Sequence, residues 1–364
     1  MTDSTTHSKD RKLMERYRSH VRRRVLFLLA MVAGLILVLL LALVTGSAGI
    51  GVREILDVMA GGSDDVTSRI VLQIRLPRAV AAILAGLALA SSGAVMQSIL
   101  RNPLASPFTL GISGAAAFGA AFAIVFFGAG SLFDGTSDFY RMMDRYIVMG
   151  SAFIWSMVGT FLILAIARYR GVTPEVMILS GIAIGSLFSA GVSAMQYLAT
   201  EIELASIVFW MFGDLGRAGW EDTAILSVVL SPILLYFIMM SWNFKSLQSG
   251  DEFAVSLGVN PFRIRLGGML AASLATAVVV SFFGIIAFVG LVVPHIVRRI
   301  IGDDEIFVIP ASALFGALFL LLSDTVARTL FSPVILPVGI LTSFIGAPLF
   351  LYLLLRVTGK GYWH

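Results

Sequence analysis

Apolar segments of about twenty residues recur along this chain, more than one soluble core can enclose. A helix rises 1.5 Å per residue, so about twenty residues cross a hydrocarbon layer about 30 Å thick. The candidate spans are 25–45, 77–98, 108–129, 146–167, 176–198, 223–242, 264–284, 286–300, 306–327 and 337–356. Composition agrees: 58% of residues are hydrophobic, 13% are charged, and the mean hydropathy is +0.93. These features predict an all-α polytopic membrane protein with about ten transmembrane helices, an even number that returns the chain to its starting side. The segment 286–300 is short for a crossing, and Gly290 and Pro294 are expected to interrupt its helix where neighbouring protein satisfies the backbone. The first 24 residues are too long and too charged for an ordinary signal-peptide leader, and no small-residue cleavage site closes the first apolar run. That run is read as a retained helix. The chain has no cysteine, which excludes disulfides and thiolate metal sites.

Charge supplies the orientation. Of the 26 Lys and Arg, eighteen fall on one side of the spans: eight in residues 1–24, then Arg101, Arg168, Arg170, Lys245, Arg263, Arg265, Arg298, Arg299, Arg356 and Lys360. The other side receives Arg53, Arg69, Arg75, Arg78, Arg141, Arg145, Arg217 and Arg328. Nine acids accompany the larger basic set and thirteen the smaller, giving net charges of +9 and −5. By the positive-inside rule the richer side is cytoplasmic, with both termini there and the protein in the plasma (inner) membrane. The expected organisation is a basic tail over 1–24, a membrane domain over 25–356 and a short tail over 357–364. The basic run KDRKLMERYRSHVRRR reads as a topology determinant touching anionic lipid rather than as a nucleic-acid site.

Small residues recur at four-residue spacing in three spans: Ala82, Gly86, Ala90 and Ala94; Gly111, Ala115, Gly119 and Ala123; Gly181, Gly185, Ser189 and Ser193. Each set stacks on one helix face and allows close approach of backbones, as in tightly packed membrane bundles. Residues 25–45, 79–100, 176–200 and 266–294 contain no Asp, Glu, Lys, Arg or His, and their polar residues are neutral ones such as Ser91, Ser92, Gln97, Gln196 and Thr276. Ion-coupled carriers keep titratable groups at membrane depth, so this inventory argues against a secondary transporter. No nucleophile–base spacing or carboxylate pair supports a membrane-embedded enzyme. His295, following Pro294, has no second ligand nearby and suits a structural hydrogen bond better than a metal. The chain also lacks a G-x-x-x-x-G-K-[ST] phosphate loop, so energy for transport must come from a partner. The longest internal loop on the basic side runs over about 243–265, NFKSLQSGDEFAVSLGVNPFRIR. It reads either as a solvated loop or as a docking element in which Ala254, Val255 and Leu257 present an apolar face and Gly258 reverses the chain.

The motif GDEFAVSLGVNP in that loop resembles the coupling segment of FecCD-type permeases of ATP-binding-cassette importers. The resemblance extends to RLPRAVAAILAGLALASSGAVMQSILRNPLASPFTLGISGAAAFG at Arg75–Gly119, GIIAFVGLVVPHIVR at Gly284–Arg298, SDTVARTL and LPVGILTSFIGAPLFLYLLLR, with a shorter match at FWMFGDLG. It spans roughly residues 25–356 and leaves out the basic tail and the stretch near Gly130–Arg145. It implies a type II importer fold and import of ferric siderophores, with haem and cobalamin as the other cargoes. The implied assembly is a homodimer with two separate ATPase subunits, which hold ATP and Mg, and an external substrate-binding protein; this chain itself would need no cofactor, metal or catalytic residue.

By the same resemblance, Gly250, Asp251, Glu252, Ala254, Leu257 and Gly258 couple to the ATPase. Arg75, Arg78 and Arg328 meet acidic residues of the binding protein, although the first two could instead anchor at lipid headgroups. Arg328 could simply pair with Asp324, four residues earlier. Asn102 and Leu104 belong to a turn that closes the pathway on the cytoplasmic side. Thr173 and Pro174, beside Glu175, belong to a second such turn, but GVTPEV departs from the hydroxyl pair of some relatives and is as well explained as a plain helix connection.

Overall fold

The computed structural model describes residues 3–46, 49–61, 65–128 and 138–357. The expected tail over 357–364 lies, beyond Val357, outside the described residues. The chain begins with α1 (Asp3–Val44), α2 (Val52–Met59) and α3 (Asp65–Arg69); a π-helical turn over Ile70–Arg75 then leads into α4 (Leu76–Ile99). There follow α5 (Ile112–Phe127), α6 (Asp138–Arg170), α7 (Pro174–Leu198), α8 (Glu201–Met211), α9 (Trp220–Met239) and α10 (Ser241–Gln248). The last five helices are α11 (Asp251–Ser256), α12 (Pro261–Phe283), α13 (Val289–Ile301), α14 (Glu305–Thr329) and α15 (Val338–Val357). Each of the ten expected spans coincides with a helix. Seven stretches are long and apolar enough to cross a membrane, within α1, α3–α4, α6, α7, α9, α12 and α14. The apolar helices over Ile112–Phe127 and Val338–Leu353 are shorter. At 13 residues, α13 reaches only about 20 Å.

Helix α4 is the axis of the bundle. In its stretch 78% of the most apolar window is buried, against 11% in α1, which lies on the periphery. Small side chains are the cause, because they let neighbouring backbones touch α4 directly. A Cβ added at Gly86 would lie 2.3 Å from the Gly316 carbonyl oxygen of α14, and one at Gly93 would lie 1.7 Å from the Gly290 oxygen of α13. The other expected stripes act similarly. Gly111 meets Gly185 across α5 and α7, and the Ser151 hydroxyl of α6 donates to the Gly119 carbonyl at 2.6 Å.

Two local expectations are corrected. Gly290 and Pro294 do not interrupt a helix; both lie inside α13, and the break precedes them at 284–288, where Gly284 and Phe288 have φ of +76° and +67°. Local bonds hold the break: the Gly284 amide donates to the Val280 carbonyl at 2.8 Å, and the Val292 amide to the Phe288 carbonyl at 2.8 Å, while just before it the Asp214 amide donates to the Phe283 carbonyl at 2.8 Å. The second correction is α8, a short apolar helix absent from the span assignment. It starts at a capping box in which the Thr200 amide donates to the Glu203 carboxylate at 2.8 Å, a T-x-x-E signature visible in the sequence.

Close approach yields a paired test. Gly93→Ala should force α4 from α13 at a cost of about 1–3 kcal/mol or more, lowering the unfolding midpoint in detergent. Gly114→Ala, whose nearest neighbour would be 3.7 Å away, should leave that midpoint unchanged.

Candidate functional site

The charges sort themselves by end of the bundle. Every ion pair among the described residues joins two groups that the sequence assigned to the same side. The end carrying the 243–265 loop is here termed inner, and the opposite one outer.

At the inner end the centre is Arg265, in the second turn of α12 and only 1% exposed. Its Nε donates to the carbonyl of Ile99, the last residue of α4, at 3.0 Å, and one terminal nitrogen donates to the Val172 carbonyl at 3.3 Å. The same guanidinium grips the Asp251 carboxylate through two bonds of 2.7 and 2.6 Å. A buried guanidinium needs such partners, since an unpaired buried charge costs several kcal/mol. The arrangement joins the start of α11 to both expected gate turns. After Ile99 the chain enters Arg101, which holds φ at +45° and approaches Asp251 at 3.7 Å. For a residue with a Cβ that left-handed conformation costs roughly 1–2 kcal/mol. Asn102 follows, its side-chain oxygen accepting from the Leu104 amide at 2.8 Å, and Leu104 is 39% exposed. In the second turn the Thr173 hydroxyl caps α7 by accepting from Val176 at 3.4 Å, and Pro174 occupies the first helical turn. Those are the roles of an ordinary helix start.

The expected coupling segment hangs between two glycines, Gly250 at φ +113° and Gly258 at φ +77°, which flank the short α11. Ala254, expected to face a partner, is fully buried, and its carbonyl accepts from the Val259 amide at 2.9 Å. The chain reversal after α11 turns this residue inward. The exposed apolar side chains are instead Phe253, Val255 and Leu257 at 49, 60 and 49% exposure; Phe253 and Leu257 share one face of the turn and Val255 lies on another, with Glu252 beside them. A second inner cluster fixes the approach to this segment. Lys245 of α10 pairs with Asp304 at 2.9 Å, and Gln248 hydrogen-bonds to Glu305. Glu305 is fully buried against Arg298 of α13 at 2.5 Å, and Arg24 of α1 reaches Asp304 at 2.8 Å.

At the outer end the structure brings Arg75, Arg78 and Arg328 together but turns them inward. Arg78, 7% exposed, makes a forked contact with Asp324 at 2.8–3.1 Å and lies 3.6 Å from Asp214. Arg328 sits 3.3 Å from the same Asp324 carboxylate and donates to the Ala42 carbonyl at 3.2 Å. Arg75, 5% exposed, donates to the carbonyls of Leu43 and Val44 at 2.6 and 3.0 Å. Two arginines thus cap the last carbonyls of α1, where the helix dipole favours cations. This explains basic residues on the side otherwise poor in them, and leaves little guanidinium surface for an external partner.

The model of the FecCD transport family matches residues 34–356. The chain belongs to the FecCD transport family. It is 49% identical over 343 residues to a protein named as an ABC transporter permease in Methanocaldococcus jannaschii, covering 94% of this chain and 98% of the relative. It is 37% identical to the hemin transport system permease protein HmuU of Yersinia pestis, covering 89% of this chain and 95% of that one. A solved structure described as an inward-facing metal-chelate type ABC transporter superposes with a TM-score of 0.78 at 32% identity, covering 90% of this chain and 98% of the other.

Within this FecCD protein, sequence reasoning missed Arg265, Arg298 and Glu305 as organising residues, and it offered Asp324 as a partner of Arg328 but not of Arg78. Asp324 had a readable signal, an acid inside an apolar span. The spacing of Arg263 and Arg265 was another, since two residues apart on a helix point to different faces.

Removing the shared acid should be severe. Asp324→Ala removes the counter-charge of Arg328 and the forked partner of the buried Arg78, leaving Arg78 only Asp214 at 3.6 Å, and is expected to cost about 3–5 kcal/mol, read as a lower unfolding midpoint or loss of folded protein. The inner cluster predicts a pH effect. Hydrogen bonding from Arg265, reinforced by the charges of Arg265 and Arg101, holds the Asp251 carboxyl below its ordinary value. A lowered folded-state value contributes stability above the ordinary carboxylate range of about 4 and loses it as pH falls through the lowered value. The difference in unfolding midpoint between the native chain and Asp251→Asn should therefore be constant from about pH 5 to 8 and shrink below about pH 4.

Proposed function

We propose that this chain is the membrane permease of an ATP-binding-cassette importer for a metal chelate, with a ferric siderophore as cargo. Ten crossings would place both termini in the cytoplasm, at the inner end, and two copies would enclose the pathway. A separate ATPase binds at the inner end of each copy, and an external binding protein delivers cargo at the outer end. The observation that carries this reading is the exposure of Phe253, Val255 and Leu257 on a short element held between two glycines and tied through Asp251 and Arg265 to both inner turns. Water-facing apolar side chains on so short a helix have a physical use when a partner groove covers them. Gly250 and Gly258 set the ends of that element, while Asp251 and Glu252 begin it. Asn102 and Leu104 form the inner closure, with Thr173 and Pro174 shaping the neighbouring turn. Arg75, Arg78 and Arg328 brace the outer platform on which the binding protein sits. The neutral interior of several spans suits a bulky chelate recognised mainly by the binding protein. Haem is the second reading, favoured by the 37% identity to the hemin-system relative.

The partner groove can be tested by charge. Val255→Glu with Leu257→Glu should weaken ATPase binding by about 100-fold or more while leaving the unfolding midpoint unchanged, because both residues are exposed. Pull-down of the ATPase at native strength by this double variant would remove the docking assignment. Cargo is decided by uptake of labelled ferric siderophore, haem and cobalamin in a strain lacking this gene; loss of haem uptake alone would replace the siderophore reading.

A further inference from the structure

We propose that Arg265 is the positioning residue through which the coupling segment moves the two inner turns, so that its loss separates ATP hydrolysis from transport. The inference rests on the docking reading above and specifies how motion leaves the docked segment.

Three elements meet at this one side chain: the end of α4 through the Ile99 carbonyl, the α6–α7 turn through the Val172 carbonyl, and the start of α11 through Asp251. Its planar guanidinium fixes the mutual geometry of all three, which a flexible ammonium or a sliding apolar contact cannot do. Ile99 lies two residues before the left-handed Arg101 that opens the Asn102 turn, and Val172 immediately before the Thr173 cap. Displacing Asp251 therefore pulls on the root of both turns. Arg101 gives Asp251 a second partner on the first turn at 3.7 Å, and Glu175 on the second turn lies within electrostatic reach of both Arg101 and Arg265. Two cations and two anions from four places in the chain thus converge at the inner end. Attachment of the segment to the bundle does not need Arg265, because α10 is already held by Lys245 on Asp304 and Gln248 on Glu305. What Arg265 adds is the connection to the turns.

The chain contains no cysteine, so Leu104→Cys provides a single reporter of the first turn. The full complex of permease, ATPase and binding protein is reconstituted in proteoliposomes, and three quantities are measured: transport, ATP hydrolysis, and the labelling rate at the reporter with and without ATP. In Arg265→Gln and Asp251→Asn, transport per ATP hydrolysed should fall about tenfold or more. The ATP-dependent change in labelling should vanish. Arg265→Lys, which keeps the charge but not the fork, should fall between these and the native chain. Asp251→Asn serves where Arg265→Gln fails to fold, since it leaves both carbonyl bonds in place. Native transport per ATP in Asp251→Asn or Arg265→Lys, or a loss of transport that only tracks reduced ATPase binding, would overturn the proposal. Absence of any ATP-dependent labelling change in the complex that carries Leu104→Cys alone, or native ATPase binding by the Val255→Glu, Leu257→Glu variant, would instead overturn the docking reading beneath it.

Discussion

Backbone-to-backbone contact along α4 sets the geometry on which everything else rests. Lipid offers helices little hydrophobic reason to associate, so packing must come from close fit and dispersion. Gly86 against Gly316 and Gly93 against Gly290 bring α14 and α13 to separations that no side chain could occupy. The same contacts fix both ends of α4. Its N-terminal Arg78 falls beside Asp324 of α14, and its C-terminal Ile99 carbonyl falls beside Arg265 of α12. Neither charge cluster could form if α4 stood even one side chain farther from its neighbours.

Charge is then confined to the two ends, and there it is largely paired. The outer cluster is the more static in character: Asp324 is almost fully buried between two arginines, one of which, Arg328, also holds the end of α1. The inner cluster differs in one physical respect. Its acid, Asp251, stays 42% exposed on a one-and-a-half-turn helix, while its base, Arg265, is buried in the bundle. An ion pair with one partner on a mobile-sized element and the other anchored in the core is suited to transmitting displacement.

Much of this was legible in the sequence because it follows from local rules. Apolar length located the helices, small-residue spacing located the contact faces, and the asymmetry of Lys and Arg sorted the charges into the two ends where the structure pairs them. What was not legible depended on tertiary contact. Arg75, Arg78 and Arg328 carry the same side chains whether they face a partner or cap α1, and only the approach of α1 and α14 decides between them. Ala254 looked equivalent to Val255 and Leu257 in an apolar run; the reversal at Gly258, which returns the Val259 amide to its carbonyl, turned it inward. The break at 284–288 was misplaced for a related reason. Pro294 suggests interruption, yet in the bundle the Gly290 carbonyl that proline leaves without a partner in α13 lies against Gly93 of α4.

The division of labour between the ends follows from these contacts. A partner docked as proposed on Phe253, Val255 and Leu257 would push an element of six residues, so the force would not be dissipated in a long flexible loop. In that reading, transmission would pass through Asp251 to a guanidinium held at two backbone carbonyls, which are less free to rotate away than side-chain acceptors. The turns that receive it are unlike one another. The first begins with a left-handed Arg101, a conformation with an energetic cost that a small rearrangement can release, whereas the second begins with a relaxed Thr173 cap. Equal displacement at Arg265 should therefore produce the larger change at Asn102 and Leu104, so the Leu104 turn yields first and the α7 start follows as a rigid body.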